Sequence, residues 1–300
     1  MKTQNSQPLI TIYLENNMSS YFPLLPSVSL KSSSISIKSS TTLLNNANNL
    51  KESNQSKKHI KSIFVGTYKL SGFIWELISS KECKYGEFHD ITRNSINVST
   101  DQMVVSLLRK KDSFPKYTRI LPKPDSLKVD SSPVAERASL NYHFKGTTTT
   151  FQGEYPYEMA NLDKGSFWSL DALKEDLNTN KSLESFLILM NINRDAEKQF
   201  EVNLDIYNPD QKDKCLNWKA LHNSFTVIDL REINKLLNSK QSQKTLFIQC
   251  KNCTFIPIFL NIDSKSNQLS MEHMHPPHEL LWGRDKFTPI KLLKDKWILK

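Results

Sequence analysis

Phe200-Glu201-Val202-Asn203-Leu204-Asp205-Ile206 alternates apolar and polar residues from end to end. Successive side chains of a strand point to opposite faces, so Phe200, Val202, Leu204 and Ile206 share one face. Glu201, Asn203 and Asp205 take the other, and the stretch reads as a half-buried strand with one wet side. Upstream, Phe186–Ile192 is apolar apart from Asn191, which predicts a central strand covered on both faces. Short apolar runs of the same kind recur at Ile63–Val65, Phe73–Ile78, Met103–Leu108, Ala138–Phe144, Phe225–Ile228, Leu246–Gln249 and Phe255–Ile262. Helices are minor: Ser169-Leu170-Asp171 leads into a turn or two over Ala172–Leu177, and Asp229–Leu237 forms another. Many short strands separated by polar turns predict a mainly β protein built from antiparallel β-sandwiches of jelly-roll-like type.

Length allows two such units. The chain has 300 residues, 38% of them hydrophobic, with 15 Phe and 9 Tyr to fill cores. Residues 1–60 contain Ser32-Ser33-Ser34, Ser39-Ser40-Thr41-Thr42 and Asn45-Asn46-Ala47-Asn48-Asn49. Such stretches bury too little surface to offset their ordering entropy, so this part reads as a disordered arm with at most a short strand at Leu9–Leu14. The remaining boundaries place a first sandwich at 61–150, an aromatic linker with a short helix at 151–180, a second sandwich at 181–282 and a basic docking segment at 283–300.

A faint repeat accompanies this division. Phe73–Ile78 followed by Phe88–Ile91 matches Phe200–Ile206 followed by Phe225–Leu230. Met103–Leu108 and Tyr117–Leu121 match Leu246–Gln249 and Phe255–Leu260, and Ala138–His143 matches Gln268–His273. The competing explanation is that any two β-domains share alternation.

The second half also carries Ala196 to Tyr207, Val227-Ile228-Asp229-Leu230, Ile248-Gln249, Phe255–Leu260, Asp263-Ser264 and Leu269-Ser270. On these stretches, residues 186–274 resemble the soluble sensory rhodopsin transducer family. The resemblance implies a compact antiparallel β-sandwich that assembles into oligomers and binds partners or small ligands without catalysis. The Cys and His residues of this region are not part of that family's pattern.

Potential chemistry concentrates in one region. Met271-Glu272-His273-Met274-His275-Pro276-Pro277-His278-Glu279 holds three of the 7 histidines, and Cys250 and Cys253 lie just upstream. Lys251-Asn252 suits a two-residue hairpin turn that would set Cys250 opposite Cys253. A second hairpin over Asp263–Asn267 would set residue 257 opposite 273 and bring Cys253 near Pro277. Cys250, Cys253, His275 and His278 then make the ligand set of a closed tetrahedral zinc site. The plainer reading is a turn that happens to carry thiols, with exposed or hydrogen-bonded histidines. A third reading is an open, cupin-like metal site using Glu272, His273, His275 and His278 or Glu279.

Residues 151–168 are the most aromatic segment. Tyr155, Tyr157 and Trp168 are candidates to stack on a sugar or base, with Glu154 and Glu158 binding hydroxyls; interdomain packing is the alternative. Glu154 and Glu158 could also serve as the paired carboxylates of glycoside hydrolysis, but nothing in the sequence positions them.

Other classes are disfavoured. No G-x-x-x-x-G-K-[ST], G-x-G-x-x-G or G-x-S-x-G motif occurs, and 7 glycines leave few phosphate-cradling loops. The net charge of +9 is spread out, with Arg109-Lys110-Lys111 and Lys291–Lys300 its densest parts, so nucleic-acid binding rests on net charge alone. Four cysteines form no disulfide framework, which together with the lack of a secretory start favours the cytoplasm. The Ser-rich arm leaves organelle targeting open. No run approaches the roughly 20 apolar residues of a membrane span. The sequence thus favours a non-catalytic binding protein for a protein partner, a carbohydrate or another small ligand, capable of forming a homo-oligomer. A metal-dependent enzyme centred on Glu272–Glu279 is the alternative.

Overall fold

In the computed structural model, sixteen main strands form two sandwich-like bodies. The structure describes residues 17–32, 35–44, 47–48, 62–125, 127–129, 138–157, 159–161, 166–174, 182–208, 211–237, 243–250 and 253–273. In the first body these are β1 (Ser20–Pro23), β2 (Ser36–Leu44), β3 (Ser62–Ser71), β4 (Ile74–Lys84), β5 (Phe88–Thr92), β6 (Val104–Arg109), β7 (Ala138–Phe144) and β8 (Thr147–Gln152). Helix α1 (Arg93–Ile96) separates β5 from β6. The second body contains β9 (Ser166–Lys174), β10 (Leu183–Met190), β11 (Glu201–Asn208), β12 (Gln211–Leu221), β13 (Phe225–Asp229), β14 (Gln243–Cys250), β15 (Ile256–Asp263) and β16 (Gln268–His273). Helix α2 (Leu230–Leu237) separates β13 from β14.

Both bodies have one topology. One sheet of the first runs β4-β3-β6-β1 and the matching sheet of the second β12-β11-β14-β9. The facing sheets run β5-β2-β7-β8 and β13-β10-β15-β16. Each strand of the first body therefore corresponds to the strand eight places later, and the helices fall at the same point. Short extra strands at Tyr117–Thr118 and Tyr155–Pro156 extend the first sheet only. Two of the sequence equivalences hold, β5 with β13 and β6 with β14. The other three do not: Phe73–Ile78 belongs to β4, whose counterpart is β12 and not the strand of Phe200–Ile206; Ala138–His143 belongs to β7, whose counterpart is β15 and not β16; and the short strand at Tyr117–Thr118 has no counterpart among the described residues of the second body. Alternation repeats every two residues and cannot distinguish neighbouring strands.

Matching positions fill matching cores. In the first body Phe22, Ile63, Val65, Val104 and Leu108 meet Leu43, Ile91 and Ala138. In the second Val202, Leu204, Ile206, Ala220 and Ile248 meet Leu187, Leu189, Ile228 and Phe259. β11 alternates buried and exposed as its sequence predicts. β10 is buried from Glu184 to Met190, also as expected, because its second face enters another core. There Phe186 and Ile188, with Ile258, Leu260 and Ile262 of β15, pack on Ile37, Leu140, Tyr142 and Phe144 of the first body.

The expected disordered arm is corrected over much of its length. Tyr21, Phe22, Leu24, Leu25, Val28, Leu30, Ile37 and Leu43 are buried core residues. β1 pairs with β6, and β2 pairs with β5 and β7, so the first sandwich includes residues placed outside it. Ser39 and Thr41 are buried as well, but their hydroxyls donate to the carbonyls of Leu25 and Pro23. A satisfied hydroxyl on a strand former is compatible with a core. Residues 1–16, with the expected strand at Leu9–Leu14, and the docking segment at 283–300 lie outside the described residues. The expected linker helix is corrected too: residues 166–174 are strand β9, paired with β14.

Arg93 anchors the N-terminal segment. It is buried, and its guanidinium donates to the carbonyls of Leu24 (3.0 Å), Leu25 (3.0 and 3.2 Å), Gln102 (3.0 Å) and Ser99. Burial pushes its pKa down to about 10, which still leaves it charged at neutral pH. At the far side, buried Glu184 of the second body accepts the backbone N–H groups of Lys31 (2.8 Å) and Ser32 (3.0 Å). The segment is thus tied to both bodies.

Arg93→Met should lower unfolding free energy in urea by about 3 kcal/mol, because several buried carbonyls lose their donor at roughly 1–3 kcal/mol each. Asp263 gives a pH test. Hydrogen bonds from Ser182, Ser266 and the Lys265 N–H hold its pKa down to about 2, against 3.8 unperturbed. Its contribution is therefore present above about pH 4 and lost as pH falls toward 2. Asp263→Asn should flatten that part of the stability profile, measured by thermal melts from pH 5 to 2.

Candidate functional site

The Cys pair does not form a hairpin. Cys250 ends β14 opposite Ser166 in one sheet, whereas β15 begins at Ile256 in the facing sheet. The connection crosses the sandwich instead of reversing beside itself. Cys253, Thr254 and Phe255 are buried along it, and the Thr254 carbonyl accepts from Asn191 Nδ2 (2.8 Å) and the Tyr155 hydroxyl (3.4 Å). Both cysteines lie in the second core beside Leu204, Ile206, Ile248 and Phe255. Their sequence reads as a turn only if consecutive strands are assumed to pair, and here they belong to opposite sheets.

The second hairpin forms with a shifted register. Asp263 pairs with Gln268, which leaves a four-residue loop closed by Asn267 at φ 57°, and Ile258, not residue 257, faces His273. Glu272 is exposed on β16 opposite Phe259. His275, His278 and Glu279 lie outside the described residues, as does Glu158. Among the described residues no group of three His, Cys, Asp or Glu side chains is placed to hold a metal.

The aromatic segment joins the bodies. Tyr155, expected as a stacking platform, is fully buried among Tyr21, Trp75, Met190 and Ile256 and has no face to offer a ligand. Tyr157 is half-buried between two cations. The Arg194 guanidinium lies 4.7 Å and the Lys123 ammonium 4.9 Å from its ring centroid, and Arg194 Nη1 donates to its hydroxyl at 2.7 Å. Such contacts add to packing when partly desolvated. Glu154 is half-buried, and Trp168 lies on β9 opposite Ile248.

Sequence reading missed the residue at the centre of this joint. The Arg194 carbonyl accepts from Trp75 Nε1 and from the Leu121 N–H, each at 2.9 Å. Its Nε returns a bond to the Leu121 carbonyl at 3.1 Å, and its N–H donates to the Ala160 carbonyl at 3.1 Å. Arg119 adds ion pairs to Asp195 (3.7 Å) and Glu197 (3.2 Å). Asn191, Asn193 and Asn223 brace the loop through buried amide bonds. The available signal was Asn191-Ile192-Asn193-Arg194-Asp195, a cluster of loop-forming polar residues directly after a buried strand.

Beside the joint lies an apolar surface. The β3–β4 turn exposes Phe73 (63%) and Ile74 (46%), and the second body exposes Phe200 (43%) and Leu221 (55%). Gln199 Nε2 donates to the Gly72 carbonyl at 2.6 Å, which ties the turn to the strand carrying Phe200. Phe200 stacks on buried His222 at 4.4 Å, and Leu221 lies opposite Glu201. Phe73, Ile74 and Phe200 thus bring exposed apolar side chains from both bodies to the Gly72–Gln199 bond, whereas Leu221 shares the face of Glu201, opposite to that of Phe200.

The buried positions of Cys83, Cys250 and Cys253 give a direct expectation. In a Cys215→Ser variant the native protein should react with Ellman's reagent at least about 100-fold more slowly than the denatured protein, in line with inert buried thiols. Rapid reaction of two thiols in the native state would show that the Cys250–Cys253 crossing opens.

No protein-family model matches the chain, and no curated protein matches it. Among solved structures, a mutant of the major pilin from Streptococcus pyogenes is similar at 8% identity, over 88% of this chain and 91% of that one, with a TM-score of 0.23. That likeness is too slight to bear on function. No helix among the described residues is long and apolar enough to cross a membrane.

Proposed function

We propose that this is a non-catalytic binding protein that docks a protein partner on the apolar surface beside the body junction. The observation that carries the reading is the exposure of Phe73, Ile74 and Phe200 on elements that the Gly72–Gln199 bond holds together. Clustered exposed apolar side chains mark interaction sites, whereas scattered ones do not. Aromatic residues at such positions are the usual anchors of protein interfaces. The joint through Arg194 and Trp75 keeps the two contributing bodies at a fixed spacing, so little ordering would be needed on binding. Tyr155 and the Cys pair, candidates for ligand and metal binding in the sequence, are built into cores.

The test replaces Phe73 with the photo-crosslinker p-benzoylphenylalanine in the native cell. A discrete adduct is expected, absent when the crosslinker replaces Tyr85, which is exposed on another turn. An adduct of twice the chain's mass would make the partner a second copy. Adding Ile74→Asp to the crosslinking protein should abolish the adduct while changing stability by no more than about 0.5 kcal/mol, as exposed substitutions do. No adduct, or equal adducts from both positions, would overturn the reading.

A further inference from the structure

We propose that the groove at the β7–β8 turn binds the phosphate or sulfate group of a small ligand, independently of the docking surface. The groove encloses about 310 Å³ and is lined in part by Ser36, Lys38, His143, Lys145, Thr147 and Thr148. That volume falls at the small end of ligand sites, enough for an oxyanion and a compact attached group. Two lysines and several hydroxyls line it, and no carboxylate does among the described residues.

A chain of hydrogen bonds runs through the sheet to the groove. Asn141 is oriented by the Ser139 carbonyl and by Thr150, whose hydroxyl donates to its Oδ1 at 2.8 Å. Its Nδ2 therefore donates to Ser40 Oγ at 3.2 Å. Ser40 Oγ is also hydrogen-bonded to His143 Nε2, 2.8 Å away. The other ring nitrogen, Nδ1, lies 2.9 Å from Thr148 Oγ1. The Thr148 hydroxyl is thereby held in place at the groove wall.

The turn itself supplies the second element. Lys145 and Gly146 adopt φ 45° and 86°, the left-handed geometry of a two-residue hairpin turn. Asn and Gly are the usual residues there, and lysine at the first position is uncommon. It sets a cation at the groove beside Phe144, its Nζ 5.1 Å from that ring's centroid. Lys38 provides the other charge from β2. Two ammonium groups beside hydroxyls are suited to a compact oxyanion, which accepts several charge-assisted bonds at once.

The test titrates inorganic phosphate, inorganic sulfate, a hexose 6-phosphate and the neutral hexose into the full chain, following the Gly146 and Thr148 amide resonances. Saturable shifts are expected for the three anions, and tighter binding of the ester would identify a phosphorylated small molecule as the source. Lys38→Gln combined with Lys145→Asn should weaken binding by about tenfold or more, since two nearby charges are removed. Asn suits the turn geometry, so the melting temperature should not fall. Thr148→Val should weaken binding several-fold with the fold intact. No saturable shift with any anion, equal affinity for the neutral hexose, or unchanged affinity in the charge variant would overturn the proposal.

Discussion

Leu187 and Ile188 are neighbours in sequence and lie in different hydrophobic cores. The rest of the molecule depends on this two-sided burial of β10 and its partner β15. One face closes the second sandwich, and the other receives Leu140, Tyr142 and Phe144 of the first body. The contact between bodies therefore has the character of a core and not of a surface interface. Each buried aliphatic side chain contributes about 1.5–3 kcal/mol of transfer free energy, so the gain from joining the bodies is comparable to that of forming one. The Gln199–Gly72 bond, which links the β3–β4 turn to the second body, forms across the same joint.

Identical topology in the two bodies gives the same core positions twice, yet the two sheets that meet are treated differently. β10 and β15 are apolar on both sides. β2 and β7 keep one polar face, where Ser40, Asn141 and His143 form the hydrogen-bond chain that ends at the groove. A single strand pattern thus serves two ends: where a second core is available the polar face is replaced by apolar residues, and where solvent remains it carries polar chemistry.

Strand alternation in β11, the apolar run in β10, and the helix at residues 230–237 were legible from sequence because each depends on local periodicity. The N-terminal strands were not. Ser39 and Thr41 count as polar in any composition argument, and only the carbonyls of Leu25 and Pro23 across the sheet make their burial acceptable. The Cys pair failed for a related reason. Lys251-Asn252 has turn chemistry, but the chain uses the following residues to cross between sheets, a choice made by the burial of Thr254 and Phe255. Tyr155 and Tyr157 stood out as a concentration of aromatic residues, but the burial of Tyr155 and the contacts of Tyr157 with Arg194 and Lys123 come from residues too far along the chain for spacing to reveal them.

By itself the sequence determined that this is a mainly β, two-sandwich protein, because side-chain alternation follows from backbone geometry and needs no long-range information. Tertiary structure alone decided which strands pair, which faces are wet, and where exposed apolar and cationic groups gather. Those outcomes depend on contacts between residues such as Trp75 and Arg194, or Lys31 and Glu184, whose proximity exists only once the two bodies have closed on each other.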